Sequence, residues 1–236
     1  METIAPQDFW QELHTPGSFD RGAHAGFYVA ELPDGRQLRL PIRPLADGEH
    51  ALASLIINQA SFAVQDALAA ALAERLRPLA IDVVVGLPTL GLTLAGAVAR
   101  ALGHDRYVPL GTSRKFWYRE DLSVSLSSIT TPTQEKRLYI DPRMLPLIEG
   151  RRVALIDDVI SSGTSILAGL GMLRLCDVEP VSIGAAMLQS DRWRERLHAA
   201  DPAWAERTIG VFSTPLLQRD GADGWRTAEP AGVRSA

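Results

Sequence analysis

The chain has a single cysteine, Cys176, among its 236 residues. That excludes an internal disulfide and fits a reducing compartment. Cys176 falls in an apolar helical pattern, so it reads as an inert, buried thiol. Basic excess is missing too: 24 Lys and Arg stand against 28 Asp and Glu, for a net charge of −4. A general nucleic-acid binder shows a basic face, so no electrostatic case for a nucleic-acid partner exists. No apolar run nears the roughly 20 residues that a membrane helix needs, and no membrane partner is expected. Residues 1–20 hold polar and acidic groups without a secretory apolar stretch, so the expected address is the cytoplasm. The five histidines, His14, His24, His50, His104 and His198, show no ligand spacing. No metal site built by the protein itself is expected. No internal repeat is visible.

What is present is an alternation of strands and helices. Residues 27–32 and 37–42 alternate apolar and polar around Pro33, Asp34, Gly35 and Arg36, a hairpin signal. This hairpin reads as an addition to the main sheet. Residues 51–76 are rich in Ala and Leu and predict one long helix, or two joined at Ser61, ending before Pro78. Then come a buried strand at 81–86, a helix at 90–102, a strand at 107–110 and a Ser/Thr-rich loop at 111–134. A short strand at 137–140, a strand at 152–156, a helix at 164–175, a strand at 181–188 and a helix at 192–199 complete the pattern. Such alternation predicts a parallel sheet covered by helices on both faces. The expected division is an N-terminal extension with the hairpin at 1–48, a main domain at 49–215 and a loose tail at 216–236. The tail is rich in Gly, Asp and Arg.

The chemistry concentrates in VALIDDVISSGTS at residues 153–165. Four apolar residues run into Asp157 and Asp158, and a small-residue loop then leads into a helix. Open α/β sheets bind ligands at the carboxyl ends of their strands. Backbone N–H groups at a helix start, joined by the hydroxyls of Ser161, Ser162, Thr164 and Ser165 around Gly163, suit a phosphate. Those residues are also ordinary helix caps, and the loop alone would leave both readings open. Two adjacent carboxylates after an apolar strand cost desolvation and mutual repulsion, and so call for a ligand. A phosphate cradle beside two acids points to a ligand that carries both a phosphate and a ribose.

This stretch resembles the phosphoribosyl pyrophosphate (PRPP) motif of the type I phosphoribosyltransferase family. A second element, VVVGLPTLGLT at residues 83–93, is similar to the family's pyrophosphate loop, with Thr89, Leu90 and Gly91 at its turn. A third, Ser113, Arg114 and Lys115, stands where the purine branch carries an Arg-Lys pair that opens a long loop. Trp117 and Tyr118 lie near the start of that loop. The run QEKRLYIDPRMLPLIEGRRV at residues 134–153 looks like the same stretch in adenine and xanthine phosphoribosyltransferases. Asn58 is similar to a base-contacting Asn of the xanthine enzymes, and equally suits an exposed helix face. The chain departs from the family at Pro88–Gly91 and at QSDRW, residues 189–193, where the relatives form part of the base pocket.

The resemblance implies a parallel sheet flanked by helices, with the N-terminal hairpin and a small hood. It implies an enzyme that moves the phosphoribosyl group of PRPP to a nucleobase, adenine or xanthine first, and releases pyrophosphate. Asp157 and Asp158 would hold the ribose, residues 161–165 the 5′-phosphate, and Thr89, Leu90 and Gly91 the pyrophosphate. Arg114 and Lys115 would neutralise the leaving group. Mg2+ would be held mainly through PRPP, and a homodimer is expected. The alternatives are a non-catalytic PRPP-sensing regulator of the same fold that binds nucleic acid, and an enzyme for orotate, hypoxanthine or another base. A receiver-like phosphoacceptor domain fits less well, because there the acids precede most of the strands.

Overall fold

A computed structural model describes residues 4–126, 136–221 and 224–228. Four antiparallel strands come first: β1 (Gly22–Ala23), β2 (Phe27–Glu31), β3 (Gln37–Pro44) and β4 (His50–Ala53). The hairpin forms where the turn residues place it, with Val29 opposite Arg39. It does not join the main sheet. Its partners are β4 and two strands from the far end of the chain, β12 and β13, in a separate six-stranded sheet.

Residues 51–60 are not α-helical, contrary to the Ala/Leu pattern. Ala51 pairs with Pro44 on one side and Leu217 on the other, so both edges of the β4 backbone are satisfied. Leu217 lies so far along the chain that no local window contains it. A 3-10 turn, Ile57–Gln59, follows, and Asn58 is exposed on it. The helix proper, α1 (Phe62–Leu76), starts where Ser61 Oγ accepts from Val64 N at 3.3 Å. Its Val64, Leu68, Leu72 and Leu76 form a buried i, i+4 stripe. Burial stabilises by about 1.5–3 kcal/mol for each such side chain.

The remaining elements build the three-layer core. β5 (Val83–Gly86) leads into α2 (Gly91–Leu102), and β6 (Val108–Pro109) follows. Inside the expected loop, β7 (Ser123–Ser125) pairs with β8 (Arg137–Tyr139) as an antiparallel ribbon. Residues 127–135 of that loop, with Gln134 and Glu135, lie outside the described residues. A short helix, α3 (Leu145–Ile148), precedes β9 (Val153–Ile160) and α4 (Thr164–Leu175). Next come β10 (Ser182–Gln189), α5 (Arg192–Ala200), α6 (Pro202–Glu206) and β11 (Thr208–Thr214).

The parallel sheet has the order β11-β10-β9-β5-β6. One core, on the α1 and α2 face, packs Leu68, Leu72 and Val98 with Trp10, Leu38 and Leu40 of the N-terminal segment. The other joins Leu155, Leu170, Trp193 and Trp204 on the α4 face. Both faces of the sheet are thus covered, as parallel strands require.

Part of the expected loose tail is ordered. β12 (Leu216–Asp220) and β13 (Gly224–Thr227) pair with each other, and β12 pairs with β4. Leu217 is fully buried. The polar composition of this stretch suits a half-exposed antiparallel hairpin, and the pairing edge it uses belongs to β4. Residues 222–223 and 229–236 are outside the described residues. No helix among the described residues is long and apolar enough to cross a membrane.

Candidate active site

The carboxyl ends of β5, β9 and β10 converge on one edge of the parallel sheet. β9 runs past its acids to Ile160, so Asp157 and Asp158 sit inside the strand and not after it. Asp157 is level with Ala185 of β10. Side chains alternate along a strand, yet as adjacent residues the two carboxyls stay close enough to interact with each other. Each residue is only 7% exposed. Asp157 Oδ1 accepts from the backbone N of Asp158 at 2.9 Å.

Burial pushes the Asp157 carboxyl well above the usual carboxylate range, and the charge of Asp158 adds to the effect. Burial also raises Asp158, while hydrogen bonds to its ionised form partly oppose the rise. The pair therefore retains a proton more readily than two exposed aspartates. Hydrogen bonds from ligand hydroxyls, or a cation, would favour the ionised form, the proton leaving to solvent.

The turn after β5 comes close to this pair. Gly91, the first residue of α2, lies against Asp157. A Cβ at Gly91 would fall 2.6 Å from Asp157 Oδ1 and 2.9 Å from its Cα. Only glycine lets the helix start this near the strand. Thr89 is exposed at the turn, Leu90 is half-buried, and the Pro88–Thr89 peptide is cis. The loop after β9 also lies at this edge. Gly163 caps α4 with φ of 78°, in the left-handed region that glycine tolerates. The Ser162 and Thr164 hydroxyls are 3.1 Å apart, and Ser162 and Ser165 are exposed.

Arg114 and Lys115 stand apart from this cluster. Both are exposed in the segment after β6, and Arg114 Nη1 is 3.9 Å from Glu120. Among the described residues no hydrogen bond or ion pair joins either to the acids. The aromatics beside them are held at the root of the ribbon. Trp117 Nε1 donates to Asp141 Oδ2 at 3.1 Å, and the Arg143 guanidinium lies 4.9 Å from the Trp117 ring centre. The Arg143 guanidinium in turn holds Asp141 far below the usual carboxylate range. Phe116 is 96% exposed.

Further contacts at this edge join residues far apart in the chain. Gln189 Nε2 donates to Ala53 O at 2.6 Å, which ties the N-terminal sheet to the end of β10. Ser190, at φ 57°, donates its N–H to Thr214 O at 2.7 Å. Ser54 Oγ, Ser190 Oγ, Thr214 Oγ1 and Trp193 Nε1 are buried without a hydrogen-bond partner among the described residues. Unused hydrogen-bonding capacity of this kind costs about 1–3 kcal/mol per group unless a ligand or water meets it. Arg192 and Arg196 of α5 reach the hydroxyls of the loop after β9. Sequence alone gave a departure at 189–193 but not these contacts, since Ser54 and Thr214 belong to distant strands.

Parallel sheet, buried acid pair and glycine-led loops together define a phosphoribosyltransferase-type α/β domain. The chain belongs to the phosphoribosyl transferase domain family, whose model matches residues 53–206. It is 29% identical over 141 residues to the orotate phosphoribosyltransferase of Halorhodospira halophila, covering 59% of this chain and 57% of that one. It is 38% identical over 92 residues to the bifunctional protein PyrR of Pseudomonas fluorescens, covering 38% and 47%. The chain thus spans about half the length of these relatives. In fold it resembles the adenine phosphoribosyltransferase of Giardia lamblia, solved with 9-deazaadenine. There the TM-score is 0.53 at 21% identity, covering 64% of this chain and 80% of that one. At that identity the likeness speaks for the fold.

Proposed function

We propose that this protein transfers the phosphoribosyl group of PRPP to a nucleobase, releasing pyrophosphate and giving a nucleoside 5′-monophosphate. The observation that carries this reading is Gly91 of α2 pressed against Asp157 in β9, four residues before the serine loop. That contact sets the turn at residues 89–91 beside the acid pair, with the loop at residues 161–165 following on the same strand, and so supports a ligand of the size of PRPP.

In the reaction a base nitrogen bonds to the ribose C1. The C1–O bond to pyrophosphate breaks, its electron pair leaves with pyrophosphate, and the base nitrogen loses its proton to solvent. Asp157 and Asp158 bind the ribose hydroxyls, and their charge steadies the cationic sugar ring. Backbone N–H groups at Thr89, Leu90 and Gly91 hold pyrophosphate. Residues 161–165 anchor the 5′-phosphate. Arg114 and Lys115 lie at the start of the ribbon segment, which brings them in as the leaving group departs and shields the cation from water. Among the described residues no group of three or more His, Cys, Asp or Glu converges to hold a metal. The donor set, two carboxylates, suits a Mg2+ that takes most of its ligands from PRPP and water. Asp157 and Asp158 would supply the protein's share, and the ion would offset pyrophosphate charge.

A purine, adenine or xanthine, is the first reading of the base. It rests on Arg114, Lys115 and the stretch before β9. The Halorhodospira relative favours orotate as the second. A cytoplasmic homodimer is part of the same reading, and sizing by light scattering tests its oligomeric half. The deciding experiment is pyrophosphate release from PRPP and magnesium against adenine, guanine, hypoxanthine, xanthine, orotate and uracil. Base-dependent release supports the enzyme and names its substrate. Tight PRPP binding without release from any base would instead favour the sensor.

A further inference from the structure

Helix α5 lies over the loop that follows β9. Its Trp193 and Leu197 are buried, and a Cβ at Gly163 would meet Leu197 Cδ1 at 2.7 Å. Residues 192 and 196 are one helical turn apart and so share the neighbouring face. That face lies along the loop. Arg196 Nη1 donates to Thr164 Oγ1 at 2.5 Å, and Arg192 Nη2 donates to Ser161 Oγ at 3.4 Å. The two guanidiniums therefore bracket the loop from end to end.

We infer that Arg196, with Arg192 beside it, binds the 5′-phosphate of the ribose-phosphate ligand directly, an inference that rests on the function proposed above. Charge is the first reason. The loop offers neutral donors, and a helix start contributes only about half a positive charge. A phosphate monoester carries close to two negative charges at neutral pH, and here Asp157 and Asp158 stand nearby. Cations at the loop offset that repulsion. The second reason is that these arginines are uncommitted. The arginine ion pairs around α4 and α6 join Arg174 and Arg207 to Glu179 and Asp201. Among the described residues neither Arg192 nor Arg196 has a carboxylate partner. The third is geometry: a guanidinium has five donors, and one N–H on a hydroxyl leaves others for phosphate oxygens. An Arg donating to a Ser or Thr oxygen also frees that hydroxyl's own proton to point at an anion.

Calorimetric titration with ribose 5-phosphate tests this, since that probe carries the 5′-phosphate and no pyrophosphate. The variants are Arg196→Gln, Arg196→Lys and the double Arg192→Gln/Arg196→Gln, each checked for an unchanged melting transition. Gln keeps a donor for the Thr164 hydroxyl but carries no charge. The Gln variant should bind ribose 5-phosphate about 10- to 100-fold more weakly, as loss of a charged hydrogen bond implies, and the double more weakly still. Lys should restore most of the affinity, and pyrophosphate binding should stay unchanged. In turnover, KM for PRPP should rise with kcat within about threefold. Wild-type affinity for ribose 5-phosphate in the folded double variant would overturn the inference alone. Failure of the wild-type protein to bind ribose 5-phosphate at all would overturn the functional reading and this inference with it.

Discussion

Replacing Asp157 by Asn should make the protein more stable and nearly inactive at the same time. Asn keeps the shape of the side chain and still accepts the hydrogen bond that Asp158 N donates at 2.9 Å. It removes the ionisable group. Asp157 is buried beside a second carboxyl, and both effects hold its folded-state pKa well above the unfolded one. In the unfolded chain an Asp ionises near pH 4. Between that value and the raised folded value, the folded protein binds more protons than the unfolded chain. Wild-type stability therefore falls as pH rises through this window. The Asn variant has no such loss at this position.

The two proteins should melt alike below about pH 4 and separate as pH rises toward neutrality. Relief of a poorly solvated buried carboxyl suggests a gain of about 1–3 kcal/mol near pH 7. In a chain of this size that corresponds to a rise in melting temperature of about 2–12 °C. Turnover should fall by about two orders of magnitude or more, because the ribose loses a charged partner in the transition state. Thermal scans at several pH values and a pyrophosphate-release assay measure both. A variant that melts below wild type at neutral pH would refute the burial reasoning. One that turns over normally would refute the role given to the pair.

Gly91→Ala places a methyl within 2.9 Å of the Asp157 backbone, and strand and helix cannot both give way. It should cost about 1–3 kcal/mol in a denaturant melt and weaken pyrophosphate inhibition. Gln189→Ala removes the hydrogen bond to Ala53 O, and should loosen the N-terminal sheet at a cost of about 1–3 kcal/mol. Amide exchange at residues 50–54 should then rise ahead of the parallel sheet. Replacing Arg114 and Lys115 together by Ala should leave the melting temperature within about 1 °C, since both are exposed, but raise KM for PRPP. An unchanged KM would remove them from the proposed site.

What could be read ahead of the structure followed local chemistry. Val153, Ala154, Leu155 and Ile156 are apolar because both faces of β9 are covered, and such a run announces itself in any window. The limits of α4 were equally legible, because hydroxyls and apolar spacing act within a few residues. Errors arose where a partner is remote. Residues 51–53 read as helix until Leu217 supplies the second strand edge. The strands β12 and β13 fall in the tail read as loose at 216–236 for the same reason, because a hairpin gains its stability only where it docks.

The site divides along the same line. By itself the sequence determined that an acid pair stands before a Ser/Gly/Thr loop, because a strand, two carboxylates and a helix start adjoin in the chain. Only the tertiary structure decided that Gly91 touches Asp157, that Arg192 and Arg196 cover the serine loop, and that Ser54, Ser190 and Thr214 are left with free hydroxyls at one sheet edge. Those contacts join residues tens of positions apart, and parallel strands bring such residues together only after the whole sheet has closed.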